Sequence, residues 1–181
     1  MKAMFLDLEM NQPSQSIIQV GAVIGDLHSG KVVWKYQKCI SDCKKIKNET
    51  IDPFITTLTG ISDMDIESGI PLIDAYRELV KNALSEQCHR NLWTWGGGDS
   101  HLLRTQLERP EDWPFGDRWI DIKTVYLLWA LAHNRPFRSG LSKSLSRLGG
   151  QFKGTKHTAG DDAENTFYAA VLLLQKIKDG V

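Results

Sequence analysis

The chain has 181 residues, 41% of them hydrophobic and 24% charged, with a formal net charge of zero. That length and apolar content suffice for one domain, residues 1–181, with a substantial core. The neutral balance argues against a protein that coats long nucleic acid, no apolar run is long enough to span a bilayer, and the opening "MKAMFLDLEMN" lacks the cleavage pattern of a signal peptide, so the expectation is a cytoplasmic protein away from membranes.

"AMFLDLEM" (3–10) reads as a strand, "SIIQVGAVIGDL" (16–27) as a second and "KVVWKYQKCI" (31–40) as a third. The links between them, "NQPSQ" and "LHSGK", are short turn material, which favours antiparallel pairing. After Pro53 the period changes, and "PLIDAYRELVKNALSEQ" (71–87) sets Leu72, Ala75, Tyr76, Leu79, Ala83 and Leu84 on one helical stripe. "NLWTWGGGD" (91–99) is a short strand ending in glycines, "SHLLRTQLE" (100–108) a helix and "RWIDIK" (118–123) a fifth strand. Three helices follow: "TVYLLWALAH" (124–133), "LSKSLSRLG" (141–149) closed by Gly149, and "DDAENTFYAAVLLLQKIK" (161–178), with Asp161 and Glu164 spaced as a capping box. The order βββ-α-β-α-β-α-α-α predicts an α/β fold, a mixed five-stranded sheet flanked by helices.

Asp7 and Glu9 sit two apart on the first strand, so they share a face. Two carboxylates on one face of a buried strand repel and resist ionisation. A cation between them removes both penalties. Two further acids occupy element ends: Asp99 after Gly96-Gly97-Gly98, and Asp162 at the start of the last helix. Carboxylates grouped this way suit a hard divalent ion such as Mg²⁺. His157, five residues before Asp162, is placed to take a proton from a water beside such an ion. The other histidines, His28, His89, His101 and His133, read as surface residues. Between Asp121 and Asp161 there is no acidic residue, and Lys123, Arg135, Arg138, Lys143, Arg147, Lys153 and Lys156 fall there, which reads as a focused anion-binding surface, with a solvated helix face as the alternative. Cys39, Cys43 and Cys88 are too few for a disulfide framework, and read as half-buried thiols rather than zinc ligands with His89.

"FLDLEMN", "LTGIS", "WGGGD" and "HTAGDDA", in that order, resemble the motifs of the DEDD exonuclease superfamily in its histidine-bearing branch. The tail "GLSKSLSRLGGQFKGTKHTAGDDAENT" is similar to the subgroup that trims 3′ ends of small and histone-type RNAs. The resemblance implies a ribonuclease H-like fold and 3′-to-5′ hydrolysis that releases nucleoside 5′-monophosphates. It implies two Mg²⁺ or Mn²⁺ ions on Asp7, Glu9, Asp99 and Asp162, with His157 as general base. It also places Leu58, Thr59 and Ile61 beside the terminal nucleotide and Met10 near the scissile end, while Lys153 and Lys156 fit upstream phosphates. Leu58 and Ile61 have core packing as their alternative. Trp95 reads as core and the glycine run as a tight turn. The expected partner is a single-stranded RNA or DNA 3′ end, RNA slightly favoured. The alternatives are a DNA proofreading or repair exonuclease, marked by indifference to the 2′-hydroxyl, and a non-catalytic binding module, marked by loss of an acidic position.

Overall fold

A computed structural model describes residues 1–42, 50–107, 113–136 and 138–180. Strands β1 (Lys2–Met10), β2 (Ile17–Asp26) and β3 (Lys31–Cys39) are followed by helices α1 (Pro53–Thr59), α2 (Asp63–Glu67) and α3 (Leu72–Ser85). Then come β4 (Trp93–Thr94), α4 (Asp99–Gln106), β5 (Ile120–Asp121), α5 (Ile122–Ala132), α6 (Leu141–Arg147) and α7 (Ala159–Asp179). The five strands form one mixed sheet in the order β3-β2-β1-β4-β5. The β1–β2 and β2–β3 pairs are antiparallel, as their short links require, and β4 and β5 run parallel to β1.

Alternation along β1 divides the core. Met4, Leu6 and Leu8 point into a cluster with α1–α4, through residues such as Ile55, Ile66, Tyr76 and Leu103. Ala3 and Phe5 point the other way, into a cluster with Tyr126 of α5, Leu145 of α6 and Phe167 of α7. Phe5 meets Phe167 edge-on at 5.3 Å between ring centroids and Trp93 at 5.4 Å. Burying each such ring contributes about 1.5–3 kcal/mol. Asp7 and Glu9 continue the Ala3–Phe5 row, so the two carboxylates emerge on the α5–α7 face where its apolar part ends.

The same face explains where α7 begins. Cross-strand partners share a face, and the register aligns Asp7 with Gly21 and Gln37, and Glu9 with Gln19 and Cys39. At Gly21 a Cβ would lie 2.0 Å from the carbonyl carbon of Ala159, so this glycine lets the first turn of α7 rest on the strand. The cap residue Thr158 makes no side-chain capping bond. The first helical N–H groups are met from the sheet instead: Ala159 donates to Gln19 Oε1 at 2.9 Å and Gly160 to Gln37 Oε1 at 3.0 Å. These bonds satisfy donors that would otherwise be orphaned.

Several sequence expectations change. Helices α1 and α2 were not anticipated; α1 is set by the Asp52 cap, Pro53 at the first position and left-handed Gly60, and α2 by a Ser62–Asp65 capping box. Asp161 is not the cap of α7, because the helix starts two residues earlier and Asp161 turns to other partners. The fifth strand stops at Asp121, which caps α5 by accepting from the Lys123 and Thr124 amides, so Ile122 and Lys123 are helical. Leu84 is 63% exposed, off the buried stripe of α3. Glu108, the expected end of α4, and Cys43 lie outside the described residues.

Candidate active site

Asp7 and Glu9 are delivered by the last turns of β1's pleat, Asp99 by the first position of α4 and Asp162 by the first turn of α7. All stand at the carboxyl ends of the parallel strands β1 and β4, the side of an open α/β sheet where ligands bind. Carboxylate oxygens of Asp7, Glu9 and Asp162 come within 4.8 Å of one another, and all three residues are half-buried. Asp99 is outside that trio, yet its charge is felt at both Asp7 and Glu9.

The electrostatics are those of a site short of positive charge. Burial first, then the charges of Asp99, Asp162 and Glu9, hold the Asp7 carboxyl well above the usual carboxylate range. Burial, then Asp162 and Asp99, push Glu9 up to about 7. Asp99 also rises to about 7, through burial and the neighbouring charge of Asp121. Asp162 is raised by burial, opposed by the backbone N–H of His157. Four oxygen-donor acids that favour protons when alone are a fitting set for a hard divalent cation, which exchanges for those protons and cancels the repulsion.

The glycine run is a turn that aims Asp99. Gly96 and Gly98 have positive φ, 98° and 126°, conformations that glycine adopts without the steric penalty of a Cβ. Thr94 Oγ1 donates to the Gly96 carbonyl at 2.5 Å, and the Gly96 N–H donates to Asp121 Oδ1 at 2.9 Å. Asp121 thus fixes the loop ahead of Asp99 while capping α5. Sequence reasoning passed over it; its one signal was an acid directly before a helix. Trp95, at the start of the run, is half-buried with its ring 5.9 Å from Tyr126, at the margin of the core.

His157 is exposed, in the turn before α7, with φ +62°. Its backbone N–H donates to Asp162 Oδ2 at 3.1 Å, joining it to the acidic cluster. Met10 is half-buried at the end of β1. Asn11, 1% exposed, accepts from the Asp52 N–H at 2.8 Å and donates to the Thr50 carbonyl at 3.0 Å, tying α1 to the end of β1. On α1, Leu58 is 38% exposed, with Phe54 one turn before it at 64%. Thr59 uses its hydroxyl locally, donating to the Ile55 carbonyl and accepting from Ile61 N–H. Ile61 is buried and packs in the core.

The basic block divides. A cavity of about 310 Å³ runs from His157 and Asp162 past Lys156, Phe152, Lys143 and Arg138. Beside it, sharing Arg138, Ser139 and Gly140, a second of about 450 Å³ reaches Lys123 and Asp121. Arg147 instead donates to the Pro136 carbonyl at 2.8 Å, a structural contact, and the Lys153 ammonium lies 4.3 Å over the Tyr168 ring. Cys39 accepts from Gln19 Nε2 at 3.6 Å, and burial pushes the Cys88 thiol up to about 11. Neither joins a metal-ligating group among the described residues. His89 differs from the surface expectation: it is half-buried, edge-on to Trp93.

A mixed sheet with clustered acids at the carboxyl ends of its parallel strands is an architecture able to hold a divalent cation. Residues 4–170 match the Exonuclease family (RNase_T), to which the chain therefore belongs. The chain is 27% identical over 186 residues to the 3′-5′ exonuclease Snipper of Drosophila melanogaster, covering 91% of this chain and 62% of that protein. It is 26% identical over 192 residues to human ERI1 exoribonuclease 2, covering 92% of this chain and 26% of that protein. The chain thus spans from about a quarter to under two thirds of these relatives. Among solved structures, the nuclease domain of 3′hExo, a DEDDh family member bound to rAMP, superposes with a TM-score of 0.78 at 21% identity, over 99% of this chain and 92% of that one. A 3′-exonuclease recognising the histone mRNA stem-loop gives 0.80 at 20% identity, over 99% and 82%. The fold is the ribonuclease H-like arrangement of these neighbours.

Proposed function

We propose that the chain is one metal-dependent exonuclease domain that shortens single-stranded nucleic acid from the 3′ end and releases nucleoside 5′-monophosphates. One observation carries this reading: Asp162, far along the chain from Asp7 and Glu9, brings its carboxylate to theirs, the oxygens of all three lying within 4.8 Å of one another, and the His157 backbone N–H is bonded to Asp162. Asp7, Glu9 and Asp162 hold two Mg²⁺ or Mn²⁺ ions together with Asp99. When bound, such ions favour the deprotonated form of the attacking water and offset charge on the phosphate and the departing oxygen.

The chain's own residues supply the rest. His157 accepts the proton of a water whose oxygen bonds to the last internucleotide phosphorus. The bond from that phosphorus to the 3′ oxygen of the penultimate nucleotide breaks, leaving a 5′-monophosphate, and the departing oxygen takes a proton from solvent water to become the new 3′-hydroxyl. Leu58, with Phe54 one turn away, offers an exposed apolar surface to a base face, a contact indifferent to base identity. Met10 and Thr59 are the further candidates for contact with the terminal nucleotide. Lys156, Lys143 and Arg138 line the groove leading away from His157 and take the upstream phosphates, and exposed Lys153, three residues before Lys156, adds to that charge. The likeness to relatives named as exoribonucleases supports RNA as the favoured substrate.

Digestion of 5′-labelled RNA and DNA single strands with Mg²⁺ or Mn²⁺, beside Asp7→Ala, tests the reading. A ladder shrinking by one nucleotide from the 3′ end, absent in the variant, is expected, with RNA cut faster. Internal cuts, or equal activity in Asp7→Ala, would overturn it.

A further inference from the structure

His157 does not hold its own position. It is an exposed, non-glycine residue in the left-handed region, between α6 and α7. Such a conformation persists where surroundings over-determine it. Here the surroundings are side chains of the first two turns of α7. Asn165, fully buried, accepts from the Lys153 N–H at 2.9 Å and donates to the Lys153 carbonyl at 2.8 Å. It donates as well to the Asp161 carbonyl at 2.8 Å. Asp161 Oδ2 accepts from the Thr155 N–H at 2.7 Å, and its Oδ1 from Lys35 Nζ of β3 at 2.6 Å. Asp162 then takes the His157 N–H. Alternate amides, 153, 155 and 157, are therefore pinned in sequence to α7. Between them Gly154 has φ +80°, and a Cβ there would lie 2.3 Å from Asp161 Oδ2, so the strap is drawn tight against that carboxylate.

We propose that Asn165 and Asp161 are positioning residues for His157: they clamp the strap that carries its imidazole. The inference rests on the proposed role of His157 as general base. Asn165 bonds to backbone atoms of Lys153 and Asp161. Asp161 neighbours Asp162 in sequence yet is engaged by Thr155 and Lys35. Misplacing a reacting group by about 1 Å costs on the order of 10²-fold in rate, so loosening the strap is felt mainly in turnover, with a smaller loss of binding through Lys153 and Lys156, which the same strap carries.

The test is a double-mutant cycle in the full chain, on 5′-labelled single-stranded RNA with Mn²⁺. Asn165→Ala is expected to lower kcat about 10- to 100-fold and to raise KM by a smaller factor, because Lys153 and Lys156 ride on the same strap. In a His157→Ala background the same substitution is expected to change the residual rate less than about twofold. Asp161→Asn keeps an acceptor oxygen for Thr155 and should recover most of the rate lost in Asp161→Ala. Amide hydrogen exchange at residues 153, 155 and 157 should quicken in Asn165→Ala while the body of α7 keeps its protection. Equal loss in both backgrounds, or Asp161→Asn as impaired as Asp161→Ala, overturns the clamp while leaving the base role intact. An unchanged rate in His157→Ala overturns the base role itself, and the clamp with it. If Asn165→Ala does not fold, the Asp161 pair decides by the same cycle.

Discussion

The two ends of α7 are held by different physics. At its start, Ala159 and Gly160 are bonded by Gln19 and Gln37, Asp161 is paired with Lys35, and the backbone sits in the space that Gly21 leaves. At its far end Leu174 and Ile177 are 42% and 58% exposed, and Gly180 closes the helix in a left-handed conformation. Between them Phe167, Ala170 and Leu173 supply the apolar burial that keeps the helix on the sheet. Apolar packing is non-directional; it secures the helix without fixing where its first turn points. The polar contacts at the start add direction, and they are concentrated where Asp162 must meet Asp7 and Glu9.

The largest expected effect comes from the acids. Asp162→Asn or Asp7→Asn should reduce exonuclease turnover at least about 10³-fold, roughly 4 kcal/mol of transition-state stabilisation. The same substitutions should raise the melting temperature of the cation-free protein at pH 8, since each removes a buried charge from a repelling group. Thermal melts in EDTA check this, and a lower melting temperature would contradict it. Next comes Gly21→Ala, whose methyl would press on the α7 backbone; overpacking of this kind costs about 1–3 kcal/mol or more, read by urea denaturation. Gln19→Ala strands a buried N–H and should cost about 1–3 kcal/mol. Ile177→Ala, at the exposed end, should change stability by no more than about 0.5 kcal/mol. Similar losses at both ends would erase the contrast between them.

The pH dependence has a definite sign. Free carboxylates titrate near ~4, whereas Glu9 and Asp99 in the folded chain are pushed up to about 7. Between those values the folded, cation-free protein binds more protons than the unfolded chain, so its stability falls as pH rises and stays low above about 7. Mn²⁺ should therefore raise the melting temperature more at pH 8 than at pH 5.5. The smallest effect is expected at the basic groove: neutralising Lys153 and Lys156 together should weaken RNA binding and flatten its salt dependence by roughly two charges. An unchanged slope would mark those lysines as solvated surface.

Much of this was legible in the sequence. The three antiparallel strands, the long amphipathic helices and the acidic set follow from alternation, helical period and motif order. What escaped has physical causes. Helices α1 and α2, of seven and five residues, are too short for a periodic signal, and their evidence lay in caps: Asp52-Pro53, Gly60 and the Ser62–Asp65 box. The start of α7 was placed late because Asp161 looks like a cap from its neighbours, whereas the true partners, Gln19 and Gln37, are 140 and 123 residues away. Leu84 lies at the edge of its stripe, where a small angular error decides exposure. Asp121 is double-purposed, a cap that also ties down Gly96, and only the fold brings those two together.

The convergence of β1, α4 and α7 on one cation site is tested most directly by calorimetric titration of Mn²⁺ into the metal-stripped full chain near pH 7, in buffers of different ionisation enthalpy. Two ions bound per chain with release of protons, both diminished in Asp7→Asn, is the expected result. Binding without proton release, or unaltered by that substitution, would contradict it.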